Sequence, residues 1–162
     1  MNPSIRPVRD TDVDALVQLT LLAFVPVFES FRKLLGPDIY PMIWPDWRKS
    51  QQEAVETLCR EPDRAVVWVA EVEDGAVVGF VAYEARPKDH TGEVLLLAVH
   101  PDYQNLGIGT QLSERALQEM KDAGVKLAVL CAGGDPSHAP ARRSYEKTGY
   151  VALPLVRYYK RL

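Results

Sequence analysis

The chain predicts a mixed α/β fold in one domain, and three observations carry that expectation. Short β-patterned runs and 3.6-periodic helical runs follow one another along the sequence with turn residues between them. A continuous apolar run, Val94 to Val99, has the character of a strand covered on both faces. The 162 residues are 47% apolar and 25% charged, ordinary for a chain that builds one core, with no repeat, low-complexity run or linker to divide residues 1–162.

Taken in order, Ser4 to Val8 reads as a first strand, with Asp10 or Thr11 placed to cap a following helix. Residues 20–50 are expected to be irregular, since Pro26, Gly36, Pro37, Pro41 and Pro45 interrupt the pattern. A helix resumes near Trp47 and runs to Leu58 or Cys59. Ala65 to Val72 and Ala76 to Glu84 form a hairpin about Glu73-Asp74-Gly75. The buried strand 93–99 then stops at Pro101, which has no N–H for a ladder. Ile108, Leu112, Ala116, Met120 and Ala123 mark one face of a helix over 106–123, closed by Gly124. Lys126 to Ala132 is another strand, and Ala139 to Thr148 a short helix with Pro140 in its first turn. Val151 to Leu162 alternates like a last strand pair broken near Pro154, an edge on which a homodimer could form.

Gln104-Asn105-Leu106-Gly107-Ile108-Gly109-Thr110 joins the buried strand to the start of a helix. The first N–H groups of a helix have no internal partners, and its dipole is positive there. With no side chains at Gly107 and Gly109, a phosphate group could come close to that backbone. A P-loop would need a lysine after these glycines, and a dinucleotide fingerprint would need glycine where Leu112 stands. The pattern present is [QR]-x-x-G-x-[GA]. Downstream, Ala141-Arg142-Arg143-Ser144-Tyr145-Glu146-Lys147-Thr148-Gly149-Tyr150 has the form A-x-x-x-Y-E-K-x-G-[FY]. The two motifs, in this order, resemble those of the GCN5-related N-acetyltransferase (GNAT) superfamily, and the likeness runs from about Ser4 to the C-terminus.

The resemblance implies a central, mostly antiparallel mixed sheet flanked by helices, with acetyl-CoA as co-substrate. Gln104 to Thr110 would cradle its pyrophosphate. The Leu97 N–H would face the thioester oxygen, and Ala98 and Val99 would pair with the pantetheine arm. The transfer would be direct, to an amine of a small molecule or peptide. Such an amine, with a pKa near 10.4 if lysine-like, costs roughly 4–5 kcal/mol to deprotonate at pH 7. The thiolate product gains from a proton donor.

Glu93 is the expected base: it opens the buried strand eleven positions before Gln104, an offset similar to that of the general base in the histone-acetylating branch. Burial beside Val94 to Leu96 would raise its pKa. A solvated glutamate at a strand start is the plain alternative. Tyr145 stands where many relatives keep the tyrosine that protonates the thiolate. A neutral phenol is a suitable donor, and aromatic packing is its other reading. His138, seven positions before Tyr145, replaces the asparagine that relatives use on the cofactor. It could bond the cofactor, carry a proton, or simply cap the helix. Asp135 could orient it or bind a cationic acceptor. Arg142 and Arg143 are open to a phosphate or to solvent.

The superfamily builds its acceptor wall from its first two helices, so the resemblance implies acceptor selection in the aromatic 24–50 stretch, with Phe28, Tyr40 and Trp44 as the candidate contacts and packing as the alternative. Cys131 lies on a strand of the kind that buries its thiols, and no histidine is spaced to make it a covalent relay. Neither cysteine has a metal or redox spacing, and Cys131, Asp135 and His138 lack a fourth ligand, so no metal is expected. A net charge of −3 and a pI near 5.6 speak against nucleic acid, and no apolar run reaches membrane length. The polar N-terminus and free cysteines lead to a cytoplasmic expectation. Two other functions fit the same residues: a domain that binds acyl-CoA without turnover, and a nucleotide-phosphate binder of unrelated fold.

Overall fold

The computed structural model describes residues 2–162. Five strands form one sheet in sequential order: β1 (Ser4–Pro7), β2 (Val66–Glu71), β3 (Val77–Arg86), β4 (Thr91–Val99) and β5 (Leu127–Leu130). The first three pairings are antiparallel and β4–β5 is parallel, as a sheet needs when a helix crosses over between two strands. That helix is α4 (Ile108–Asp122). The mixed, mostly antiparallel sheet agrees with the fold expected from the sequence.

Helices cover both faces. Helices α1 (Val13–Ala23) and α3 (Trp47–Arg60) pack Leu16, Leu19 and Val55 against Val67, Val69 and Phe80. On the other face, Ile108, Leu112, Ala116 and Met120 of α4 meet Val81, Tyr83, Val94 and Val99. Phe80, Leu16 and Leu112 are fully enclosed, and burial of each such side chain is worth about 1.5–3 kcal/mol. Gly92 and Gly79 let α4 settle. A Cβ at Gly92 would lie 2.8 Å from Met120 Sδ and 3.1 Å from the Glu84 carbonyl oxygen.

Three stretches depart from the sequence reading. Most of 20–50 is helical, because α2 runs over Val25–Ile43 with a break at Gly36, whose φ is 72°. Pro26 and Pro37 fall at the starts of the two arms, where a missing N–H removes no bond. At the N-terminus the capping carboxylate is Asp12 rather than Asp10 or Thr11; it accepts the Arg9 N–H at 2.7 Å. Asp12 also takes a bidentate pair from Arg6 (2.7 and 3.0 Å), and Arg6 reaches on to Glu71, which ties β1, β2 and the start of α1 together. Finally, residues 150–162 form neither strand nor helix. No strand lies beside them, Pro154 offers no N–H, and Val151, Leu153 and Leu155 are 80% or more exposed.

Candidate active site

The sheet opens at the end of β4. Pairing with β5 covers only Thr91 to Val94, so the edge of β4 from Leu95 to Val99 has no strand beside it. The other edge stays bonded to β3 up to Val99, and a register shift between Ala82 and Tyr83 falls opposite Leu95. The main-chain groups of Leu97 and Val99 therefore lie on the gap side, while those of Ala98 turn to β3 opposite Phe80.

The N-terminus of α4 stands at the end of the loop that leaves β4. Asn105 and Gly107 take left-handed φ values of 62° and 82°, which turn the chain into the helix. The first helical bond runs from Gln111 N to the Gly107 carbonyl, so the N–H groups of Ile108, Gly109 and Thr110 have no intrahelical acceptor. Gly107 has open space around it, and Gly109 sits over Leu97 and Val99. Gln104 does not reach outward: its amide donates to the Val99 carbonyl at 3.0 Å and fastens the loop to β4. Leu106 is half exposed.

Helix α5 (Ala139–Lys147) packs on this first turn of α4, with Thr110 Oγ1 3.4 Å from Ser144 Oγ. Tyr145 is half-buried, and burial pushes its phenol above the ordinary range, so it stays protonated at any working pH. Tyr150, whose position the motif fixes only as aromatic, lies edge-on to Tyr145 at 6.0 Å. Its hydroxyl is buried without a partner, and burial, then Tyr145, pushes its pKa up to about 12.

Glu93 does not have the environment expected of it. Its side chain is 35% exposed and lies opposite Glu84 across the β3–β4 ladder. Arg86 sits between the two carboxylates, 3.2 Å from Glu84 and 3.6 Å from Glu93, and relieves their repulsion. An ion-paired, partly solvated carboxylate replaces the buried one inferred from the sequence. Cys131 likewise lies just past β5 and is exposed, not buried in the strand.

The aromatic residues do converge. Phe28 stacks on Trp47 (4.3 Å) and Phe31 on Trp44 (4.9 Å), while Tyr40 tilts against Trp44 at 5.7 Å. A pocket of about 350 Å³ opens among Phe28, Tyr40, Trp44 and Trp47, rimmed by Glu29, Arg32, Asp46 and Arg48. Asp135 is not part of it. Its side chain is 5% exposed and both oxygens are taken within the protein: Oδ1 by His138 Nδ1 at 2.6 Å, Oδ2 by Ser30 Oγ at 2.6 Å and by Ser137. Burial works to raise its pKa, but hydrogen bonds from Ser137, Ser30 and His138 outweigh it and hold the carboxyl at about 2. Arg142 donates to the carbonyls of Gly133 and Asp135, so it holds this loop rather than a phosphate. Sequence reading could not find Ser30, because 105 positions separate it from Asp135. No group of three metal-ligating side chains occurs among the described residues.

A family model described as the acetyltransferase (GNAT) family matches residues 36–150, which include the open edge of β4, the α4 loop and Tyr145. The chain belongs to this family. Among curated relatives, this GNAT chain is 36% identical over 89 residues to a mycothiol acetyltransferase of Thermomonospora curvata, covering 55% of this chain and 29% of that one. It is 29% identical over 169 residues to an N-alpha-acetyltransferase of Sulfurisphaera tokodaii, covering 96% and 84%. The chain spans well under half the length of the first mycothiol acetyltransferases that it matches. Among solved structures, a GNAT family acetyltransferase from Brucella melitensis in complex with acetyl-CoA superposes with a TM-score of 0.61 at 24% identity, covering 92% of this chain and 82% of that one. That likeness speaks to the fold.

Proposed function

We propose that this GNAT chain transfers an acetyl group from acetyl-CoA directly to a primary amine. The observation that carries the reading is the unpaired edge of β4, which leads to three free N–H groups at the start of α4 with the Tyr145 helix packed against them. A ligand with an amide-bearing arm and a pyrophosphate matches that layout in order. Residues 97–99 would bond the arm as a further strand, and the Leu97 N–H would stabilise charge on the thioester oxygen. Residues 105–110 would hold the phosphates, with Gly107 leaving room for them. Tyr145, kept neutral by burial, would protonate the departing thiolate. The acceptor would enter past Phe28, Tyr40 and Trp44. The names of the relatives support a small-molecule amine or a peptide α-amine.

Thermal-shift titration with acetyl-CoA, coenzyme A, ATP and NAD tests the donor site. At 100 times its dissociation constant a ligand stabilises a fold by about 2.7 kcal/mol, on the order of 5 °C for a domain of this size. Shifts with both coenzyme A species and with neither nucleotide are expected, and no shift with either coenzyme A species would overturn the assignment. Thiol release is then followed with spermidine, 2-phenylethylamine, a lysine peptide and a peptide with a free N-terminal alanine. Binding without release in any of them would mark a module that holds acyl-CoA and does not turn it over.

A further inference from the structure

The loop from β5 to α5 holds a carboxylate–imidazole pair, Asp135 with His138. A carboxylate held ionised can only accept, so the 2.6 Å contact places the proton of His138 on Nδ1 and leaves the Nε2 lone pair free. Asp135 is itself fixed from two directions, by Ser137 in its own loop and by Ser30 on α2. Gly133 makes the space, since a Cβ there would overlap both the His138 ring and the Asp135 carboxylate.

The place of the pair in the fold matters as much as its geometry. The imidazole stacks at 5.8 Å on Phe31, which in turn stacks on Trp44 of the acceptor pocket. His138 is also the residue from which α5 starts. Tyr145 follows seven residues on, roughly 10 Å along the axis of α5. Ser144, next to Tyr145, meets the first turn of α4, and the imidazole lies beside the aromatic wall. The charged groups at the ring are Asp135 in its loop and, behind the loop carbonyls, Arg142 of α5; α2 presents Ser30 and Phe31.

We propose that His138 is the general base for the acceptor amine and that Asp135 is its positioning residue. The inference rests on the acetyl transfer proposed above. His138 Nε2 takes one proton from the acceptor ammonium. The freed amine forms the C–N bond at the thioester carbonyl carbon as the C–S bond breaks. The second nitrogen proton balances the one that Tyr145 gives to the thiolate, and the imidazolium returns its proton to solvent. Amide, free thiol and one released proton are the products. Glu93, paired with Arg86, has no part in the step.

The test compares wild type with His138→Gln, Asp135→Asn and Glu93→Gln. Coenzyme A should stabilise all four alike. With the amine turned over fastest by wild type, His138→Gln should lose on the order of 100-fold in kcat/KM. It should also lose the rise of rate with pH that wild type and Glu93→Gln keep. Asp135→Asn should fall between them. Long-range nitrogen NMR on the coenzyme A complex should show the Nδ1–H tautomer in wild type and a mixture in Asp135→Asn. A wild-type pH profile in His138→Gln, or a proton on Nε2 in place of Nδ1, would overturn the proposal. Failure of coenzyme A to stabilise wild type would instead remove the donor site, and a proton on Nε2 would overturn the base even if no tested amine is acetylated.

Discussion

Single residues in this chain are tuned by what encloses them. Burial raises the pKa of the Tyr145 phenol, and on the proposed role as proton donor Tyr145→Phe should reduce kcat by roughly 10²-fold. Affinity for coenzyme A, measured by titration, should change little, because the proposed role of the hydroxyl is at the thiolate and not at the phosphates. The two depressed carboxyls set acid stability. Asp12 is lowered chiefly by its hydrogen bonds from Arg6, and Asp135 is held at about 2. For a carboxyl whose folded pKa lies below its unfolded value, the stabilisation is complete above about pH 4 and is lost as pH falls through the folded value. Urea midpoints should therefore be flat above about pH 5 and drop steeply towards pH 2, by about 2 kcal/mol for Asp135 alone. Asp135→Asn should flatten part of that limb. The sequence displayed Tyr145, Asp135 and His138, but not the Ser30 bond or the Arg86 pair. Both depend on residues that only the fold brings near.

At the level of elements, glycine positions decide the geometry of the donor side. Gly107 holds a left-handed φ of 82° at the start of α4 with nothing packed on it. A side chain there costs about 1–2 kcal/mol in backbone strain and would also fill the space proposed for a phosphate. Gly107→Val is thus expected to weaken coenzyme A binding at least tenfold, read by calorimetry, while lowering thermal stability only modestly. Strand β4, helix α4 and the hairpin of β2 and β3 were legible from period and turn residues alone. Helix α2 was not, because a proline reads as a breaker unless its place within a helix is known. Pro26 and Pro37 stand in first turns, where the residue breaks nothing.

Across the whole molecule, the two motifs, through the resemblance that they carry, were enough to anticipate a mixed, mostly antiparallel sheet flanked by helices. The tail was misread for a physical reason: alternation marks a chain able to pair, and pairing needs a neighbour. Residues 150–162 have none among the described residues, and their ion pair from Arg161 to Asp38 at 3.8 Å is largely exposed. Exposed pairs of this kind contribute about 0–1 kcal/mol. Brief trypsin treatment should therefore cut first after Arg157, Lys160 or Arg161, located by mass spectrometry, and the trimmed protein should melt within a few degrees of the intact one. Protection of these sites that fades on dilution would instead reveal a second copy lying against the tail.

The open edge of β4 also has a kinetic signature. Alternate amides from Leu95 to Val99 face the gap, bonded to no strand, and should exchange with deuterated solvent quickly in the free protein while the amides facing β3 exchange slowly. A ligand that lies in the gap would convert the fast set into slow ones. Every second amide of a single strand would thus report occupancy, residue by residue, without any chemical turnover.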